Sequence, residues 1–177
     1  ALANAPDPAA AARLAEQVLA AAGPALDETA ARHPGRLAHV LLALCGVAPF
    51  FASWLLREPA WLAELAADDL AAPLDPAALA ARLDDALAGT DEDGAASVLR
   101  RFKYRWLARI VVRDCALPLA ASGETLGDLS RLAEVLLDRA LRIAHARVSA
   151  QLGPPEWRDA QGRAAPATFC VLGLGKL

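Results

Sequence analysis

The chain has 177 residues, 56% hydrophobic and 22% charged, a composition that fits a packed globular protein and excludes a disordered one. Its net charge of -3 gives no broad attraction to nucleic acid or to anionic membranes, and neither is expected as a partner. Alanine and leucine dominate while aromatics make up only 5%, a mixture that favours helices packed on helices. Lysine occurs only at Lys103 and Lys176; GC-rich coding gives the same arginine bias, so no function is read from it. Cys45, Cys115 and Cys170 are odd in number and widely spaced, which argues against a disulfide framework and for a reducing, cytoplasmic setting. No basic stretch leads into an apolar core at the N-terminus, so a signal peptide is not indicated. No methionine is present and the first residue is Ala1, so the sequence reads as a piece of a longer product.

Asp7-Pro8 reads as an N-cap followed by proline at the first helical position, and Gly23-Pro24 closes that helix. Pro34-Gly35 precedes an apolar stretch, residues 37–56, that carries no formal charge and is long enough to span a membrane. His39, Gly46, Pro49 and Ser53 interrupt it, so two buried helices meeting near residues 46–49 are expected instead. Pro49 and Pro59 each open a further segment, with Trp54 and Trp61 at helical core positions. Asp75-Pro76 repeats the cap-and-proline device, and Gly89 ends that helix. Short connections between proline-initiated helices describe an α-helical array, with no fixed repeat period.

Asp91-Glu92-Asp93-Gly94 is an acidic turn at the start of a long helix expected over residues 95–114. Carboxylates at a helix start complement its dipole, which accounts for the cluster without a metal. Leu99, Phe102, Trp106 and Ile110 recur at helical spacing as the expected buried stripe. Beside them run Arg101, Arg105, Arg109 and Arg113. The first three are expected on a solvated face, with Arg113 paired to an acid such as Asp114 or Glu134. The competing reading has some of them approaching a phosphate. A second long helix is expected from Thr125, with Asp128 completing an approximate capping box and Leu129, Leu132, Leu136, Ala140 and Ile143 on one face. Gly153-Pro154-Pro155 ends it, and the two long helices are expected to pack antiparallel. After a loop containing Trp157, Thr168-Phe169-Cys170-Val171-Leu172 reads as a buried β-strand running into Gly173-Leu174-Gly175-Lys176-Leu177.

Gly173, Gly175 and Lys176 are the candidate cofactor-binding residues, since glycines after a strand let the backbone approach a phosphate and lysine supplies charge. A Walker A loop fails twice, with Cys170 and Leu177 where glycine and Ser/Thr are required. A dinucleotide fingerprint would need its third glycine beyond Leu177. A nucleotidyltransferase entry and a plain strand-ending turn both remain open on these residues alone. His33, His39 and His145 have no ligand spacing with one another or with the cysteines, so no zinc site is expected. Ser53, Ser122 and Ser130 lack the context of a nucleophile.

Context extends this reading. The run from Arg100-Arg101-Phe102 to Arg109-Ile110 and Arg113-Asp114 resembles the helix that precedes each catalytic module of the glutamine synthetase adenylyltransferases. Leu129-Ser130-Arg131-Leu132-Ala133-Glu134 is similar to their Leu-Ser-x-Leu-Ala-Glu segment, and Gly153-Pro154-Pro155 to their Gly-x-Pro loop. Val171-Leu172-Gly173-Leu174-Gly175-Lys176-Leu177 resembles the start of their Gly-x-Gly-Lys-Leu-Gly-Gly strand and turn. These four matches fall in order over residues 97–177, whereas the first 90 residues match only loosely, around residues 50–65.

The resemblance implies two related nucleotidyltransferase modules, one adding AMP from ATP to a tyrosine of glutamine synthetase and the other removing it by phosphorolysis. It implies Mg2+ and ATP/ADP as cofactors of the parent enzyme, neither held tightly by these residues alone. It also implies glutamine synthetase and a PII-type signalling protein as partners. The paired catalytic aspartates are expected beyond residue 177, so no catalytic or metal residue is assigned within the chain, and the piece alone is expected to be inactive. Little precedes the arm except an Ala-rich stretch, which favours the N-terminal, adenylyl-removing module. The fold expected is mainly α: a helical arm over 1–152, a linker loop over 153–167, and over 168–177 the first β-strand of a truncated nucleotidyltransferase domain. The rival reading is a non-catalytic helical interaction domain.

Overall fold

The structure, a computed structural model, describes residues 2–116 and 122–171. It is mainly α, with eight α-helices and one two-stranded antiparallel sheet among those residues. The chain divides into two compact units: Ala1–Leu74 with Arg101–Leu129, and Asp75–Arg100 with Ser130–Leu177.

The first unit begins with α1 (Pro8–Ala22), where the Asp7 carboxylate accepts from the Ala10 N–H at 2.9 Å and Pro8 takes the first helical position. Ala11, Ala15 and Val18 form its buried stripe, and Gly23, at φ 58°, ends it in a conformation that side chains resist. After the short α2 (Asp27–Arg32), α3 (Pro34–Leu41) carries Leu37, Val40 and Leu41 into the core. It continues into a π-helical turn, Leu42–Val47, in which the Ala48 N–H donates to the Ala43 carbonyl at 2.8 Å. A Cβ built on Gly46 would lie 3.0 Å from that of Ala5 and 3.3 Å from Leu42 Cδ1, so this turn depends on glycine for its packing. Pro49 then redirects the chain into α4 (Ala52–Arg57), bent by 107° from the segment before it.

The uncharged stretch is therefore folded back on itself inside this unit. Val40, Leu44, Ala52 and Leu55 are fully buried among Leu62, Leu65 and Ala66 of α5 (Ala60–Ala67), and Ala108 and Val112 join them. Trp54 stacks on Trp61 with centroids 5.8 Å apart. Among the described residues no single helix is long and apolar enough to cross a membrane, although the bent pair together has the length and composition to do so.

The long helices α7 (Glu92–Ala116) and α8 (Ser122–Leu152) each contribute to both units. In the first unit they run in opposite senses, with Arg113 bonded to Asp128 and Asp114 accepting from the Thr125 hydroxyl at 2.8 Å. Both helices start three residues earlier than the sequence pattern indicates. Asp128 is not a capping residue; it lies inside α8, fully buried.

The expected α7 stripe needs correction. Ile110 is buried, but Leu99, Phe102 and Trp106 are only half-buried, and the core is met by Tyr104, Ala108, Val111 and Val112. The row of arginines occupies the neighbouring packed face, so large apolar residues alone misplace the buried side. On α8, Leu132 is buried as expected and Val135 joins it, while Leu129, Leu136, Ala140 and Ile143 are half-buried.

In the second unit Asp75 caps α6 (Pro76–Leu87) by accepting from the Ala77 N–H at 2.9 Å, and the helix buries Leu79 and Leu83. Asp91 similarly accepts from the Gly94 N–H at 2.8 Å, so this acidic turn includes a cap. Residues 153–167, expected as a loop, hold a hairpin of β1 (Glu156–Arg158) and β2 (Ala164–Pro166), with Trp157 opposite Ala165. The Asp159 carboxylate accepts from the N–H groups of Gln161 and Arg163, and Gly162, at φ 82°, completes the turn. The expected strand at 168–172 is not found over 168–171, where Phe169 and Val171 stand exposed; Leu172 lies outside the described residues. An isolated strand has no ladder to join, and neither hairpin strand pairs with this segment.

Two measurements test this account. Gly46→Val is expected to destabilise the protein by about 1–3 kcal/mol through overpacking against Ala5 and Leu42. Gly35→Ala, where a Cβ meets nothing within 4 Å, should not lower the urea midpoint. Equal midpoint losses would remove the packing argument. For the hairpin, hydrogen bonds led by the Arg163 N–H hold the Asp159 carboxyl below its usual range. Its stabilisation is therefore complete above the unfolded value of about 3.9 and is lost as pH falls through the lower folded value. Amide shifts of Trp157 and Gly162 should follow that acid transition, and Asp159→Asn should abolish it.

Candidate functional site

Gly173, Gly175 and Lys176 lie outside the described residues, and Ser149 to Val171 bring no acidic group into a metal-holding cluster. Among the described residues no group of His, Cys, Asp and Glu could hold a metal ion, and His33, His39 and His145 join none. Cys45, Cys115 and Cys170 are free thiols. Burial pushes the Cys45 thiol up to about 11, which keeps it protonated and unreactive. Burial also raises Cys115, helped by Asp114.

The chemistry that is assembled centres on α7. Arg101 meets Glu58 at 2.7 Å, Arg105 meets Glu64 at 3.0 Å, and Arg109 meets Asp68 at 2.9 Å. Four-residue steps on α7 thus match carboxylates that flank and occupy α5, with both rows ascending together. The fourth member, Arg113, bonds Asp128 at 2.6 Å and also Glu124, both from α8. Side-chain exposure of the arginines falls along the row from 59% to 15%, 4% and 1%.

That gradient decides what the row does. Only Arg101 is largely solvated, correcting the expectation that Arg105 and Arg109 are too. Arg113 pairs with an acid as expected, but with Asp128 and Glu124, not with Asp114 or Glu134. A sequence pattern offers little to find these partners: Asp128 sits at an ordinary helical position, and only its depth makes it exceptional. Every guanidinium of the row meets a carboxylate of the chain itself, so the row is built as a clasp.

What it clasps is the segment between α5 and α6. Arg109 donates to the carbonyls of Asp69 at 2.7 Å and Ala72 at 2.9 Å, and Arg113 reaches that of Ala71 at 3.5 Å. Arg36 donates to the Asp68 carbonyl at 3.0 Å, and Asp128 accepts from the Leu74 N–H at 2.8 Å. Leu70 and Leu74 are buried while Asp69, Ala71, Ala72 and Pro73 stay exposed, and side chains supply several of this irregular segment's hydrogen bonds. Arg109 Nη1 and Arg113 Nε are shielded and meet no acceptor among the described residues, which offsets part of the gain.

The second unit has an exposed counterpart. Arg139 bonds both carboxylate oxygens of Asp84, at 2.6 and 2.7 Å, and also reaches Asp138, which Arg142 meets at 2.9 Å. The Arg139 hydrogen bond lowers Asp84, the Arg142 hydrogen bond leads the lowering of Asp138, and Asp84 in turn raises Arg139. This bidentate pair joins α6 to α8 within the unit, and at the surface it is worth little on its own.

Comparison with known proteins places this architecture. The family model for glutamate-ammonia ligase adenylyltransferase matches residues 37–177. A protein of Thioalkalivibrio sulfidiphilus is 40% identical over 130 residues, covering 72% of this chain and 13% of that protein. One of Pseudomonas aeruginosa is 39% identical over 133 residues, covering 72% and 13%, and one of Shewanella oneidensis is 36% identical over 138 residues, covering 77% and 14%. All three are named bifunctional glutamine synthetase adenylyltransferase/adenylyl-removing enzyme. The match therefore spans about an eighth of the length of these curated relatives. No solved structure matches the chain.

The clasp predicts a graded mutational response. Arg113→Met or Asp128→Asn should cost about 3–5 kcal/mol in denaturant unfolding, since each strands a buried polar or charged partner. Arg101→Ala should cost about 0–1 kcal/mol. The pair Arg113→Met with Asp128→Leu should recover part of the single-mutant loss, which a double-mutant cycle measures. Equal small losses at both ends of the row would contradict the clasp.

Proposed function

Because the chain belongs to the glutamate–ammonia ligase adenylyltransferase family, we propose that it is the helical arm and domain entry of an enzyme that adenylylates or de-adenylylates glutamine synthetase. The family match over residues 37–177 carries this reading. In one direction a tyrosine oxygen attacks the α-phosphorus of ATP, taking AMP while pyrophosphate leaves and the hydroxyl proton is released. In the other, inorganic phosphate displaces that oxygen and releases ADP. We assign the chain to the adenylyl-removing module, acting in the cytoplasm, with glutamine synthetase and a PII-type signalling protein as partners.

Gly173, Gly175 and Lys176 are proposed to face the nucleotide phosphates, the glycines by close backbone approach and Lys176 by its charge. Mg2+ and ATP or ADP are the proposed cofactors. The metal-holding aspartates are proposed to lie beyond residue 177. The proposed division is a helical arm over 1–152, a connection over 153–167 and the catalytic entry from 168. Within the first unit the arginine clasp keeps α5, α7 and α8 in register.

The assay uses the protein encoded by the complete gene. Given adenylylated glutamine synthetase and phosphate, it is expected to release ADP. Given ATP and unmodified glutamine synthetase, it reports whether the opposite activity is also present. Lys176→Ala should lower the rate roughly a hundredfold, as loss of one charge-stabilising donor does, at unchanged thermal stability. The 177 residues alone should do neither reaction. Absence of both activities from the complete protein, with glutamine synthetase still bound, would favour the interaction-domain reading.

A further inference from the structure

The last three turns of α8 present an apolar face that the following residues cover only in part. Leu141, Val148 and Leu152, with Pro155 and Phe169, line a cavity of about 400 Å³ in the second unit. Leu152 is 83% exposed, Phe169 64% and Val148 51%, a concentration that isolated surface apolar residues do not produce. The Ser149 hydroxyl on the same wall is shielded from solvent and meets no hydrogen-bond partner among the described residues. A buried hydroxyl left in that state costs free energy that an incoming backbone group would recover.

The adjacent hairpin is incomplete in a related way. The Asp159 N–H donates to Arg163 and the Ala167 N–H to Pro155, so the alternation turns the backbone groups of Glu156 and Arg158 away from β2. Pro166 leaves the outer edge of β2 short of one donor, which makes β1 the better edge to extend. Two strands alone are marginal, and exposed Trp157 gains cover only from a further layer. The cavity, the open β1 edge and the uncovered Phe169 and Val171 all fall within residues 141–171.

The family match runs through residue 177, while the matched stretch is only 13–14% of each relative's length. The relatives thus carry much more chain than is seen here. We propose that the apolar face of α8 and the β1 edge are an intramolecular seat for polypeptide following residue 177, which lays apolar strand residues on Val148 and Leu152. This rests on the reading above that the chain is part of a longer enzyme.

Hydrogen exchange on the complete gene product and on the 177-residue chain tests it. Amides of residues 141–158 should exchange at least tenfold more slowly in the complete protein, at every concentration. Val148→Asp and Leu152→Asp should leave the melting temperature of the 177-residue chain unchanged, because both sites are already open to water, and lower that of the complete protein by several degrees. Protection that appears in the 177-residue chain only as concentration rises, with a sedimenting dimer, would assign the face to a second copy and overturn the proposal. So would equal uptake of the apolar dye ANS by both proteins with no protection in either, which would mark an open ligand pocket. Adenylyl chemistry without protection overturns this inference alone, and protection without adenylyl chemistry overturns only the assignment of function.

Discussion

The buried contact between Arg113 and Asp128 is the constraint on which the first unit depends. A guanidinium and a carboxylate removed from water are tolerable only when each is met on several sides. Here the geometry supplies Glu124 and the Ala71 carbonyl to the arginine, and the Leu74 N–H to the aspartate. One interaction thereby fixes α7 against α8 and secures the turn that ends the α5 segment. The pairs at Arg109, Arg105 and Arg101 extend the same registration outward, with diminishing burial and diminishing energetic weight.

The arginine row is committed to holding the first unit together. A four-residue arginine row in a chain of this family invites a phosphate-binding interpretation, because guanidinium groups recognise phosphate so well. Carboxylates from α5, α8 and the intervening segments already occupy that recognition capacity. The proposed phosphate contacts are left to Gly173, Gly175 and Lys176.

Local signals were legible in the sequence. Asp7 and Asp75 cap helices as their pairing with proline indicates, Gly46 and Pro49 mark the break in the uncharged stretch, and the helical class follows from composition. Their causes lie within a few residues, so the sequence displays them. The partners of Arg109 and Arg113 were not legible, because they come from segments brought near only by the fold. The buried side of α7 departs from its row of large apolar residues for a related reason. Small Ala108 and Val112 face the core, while bulkier Phe102 and Trp106 are only half-buried. The strand expected after residue 167 shows the limit from the other direction: β-propensity is expressed only when a neighbouring edge exists to receive it. For Gly173, Gly175 and Lys176 the family resemblance, not the geometry, carries the assignment.

The segment between α5 and α6 also carries a consequence for synthesis. Its Leu74 amide is satisfied by Asp128, 54 residues further along the chain. At elongation rates of about 5–20 residues per second that interval is roughly 3–10 s, before allowing for passage through the ribosomal tunnel. During that time the apolar residues around Trp61 have emerged without Ala108 and Val112 to cover them. The first unit therefore cannot be completed in the order in which it is made; its N-terminal portion waits, partly uncovered, for the arrival of α7 and α8. A ribosomal pause between residues 74 and 128 would lengthen that exposure, and the need for chaperone protection would be set by translation speed as much as by final stability.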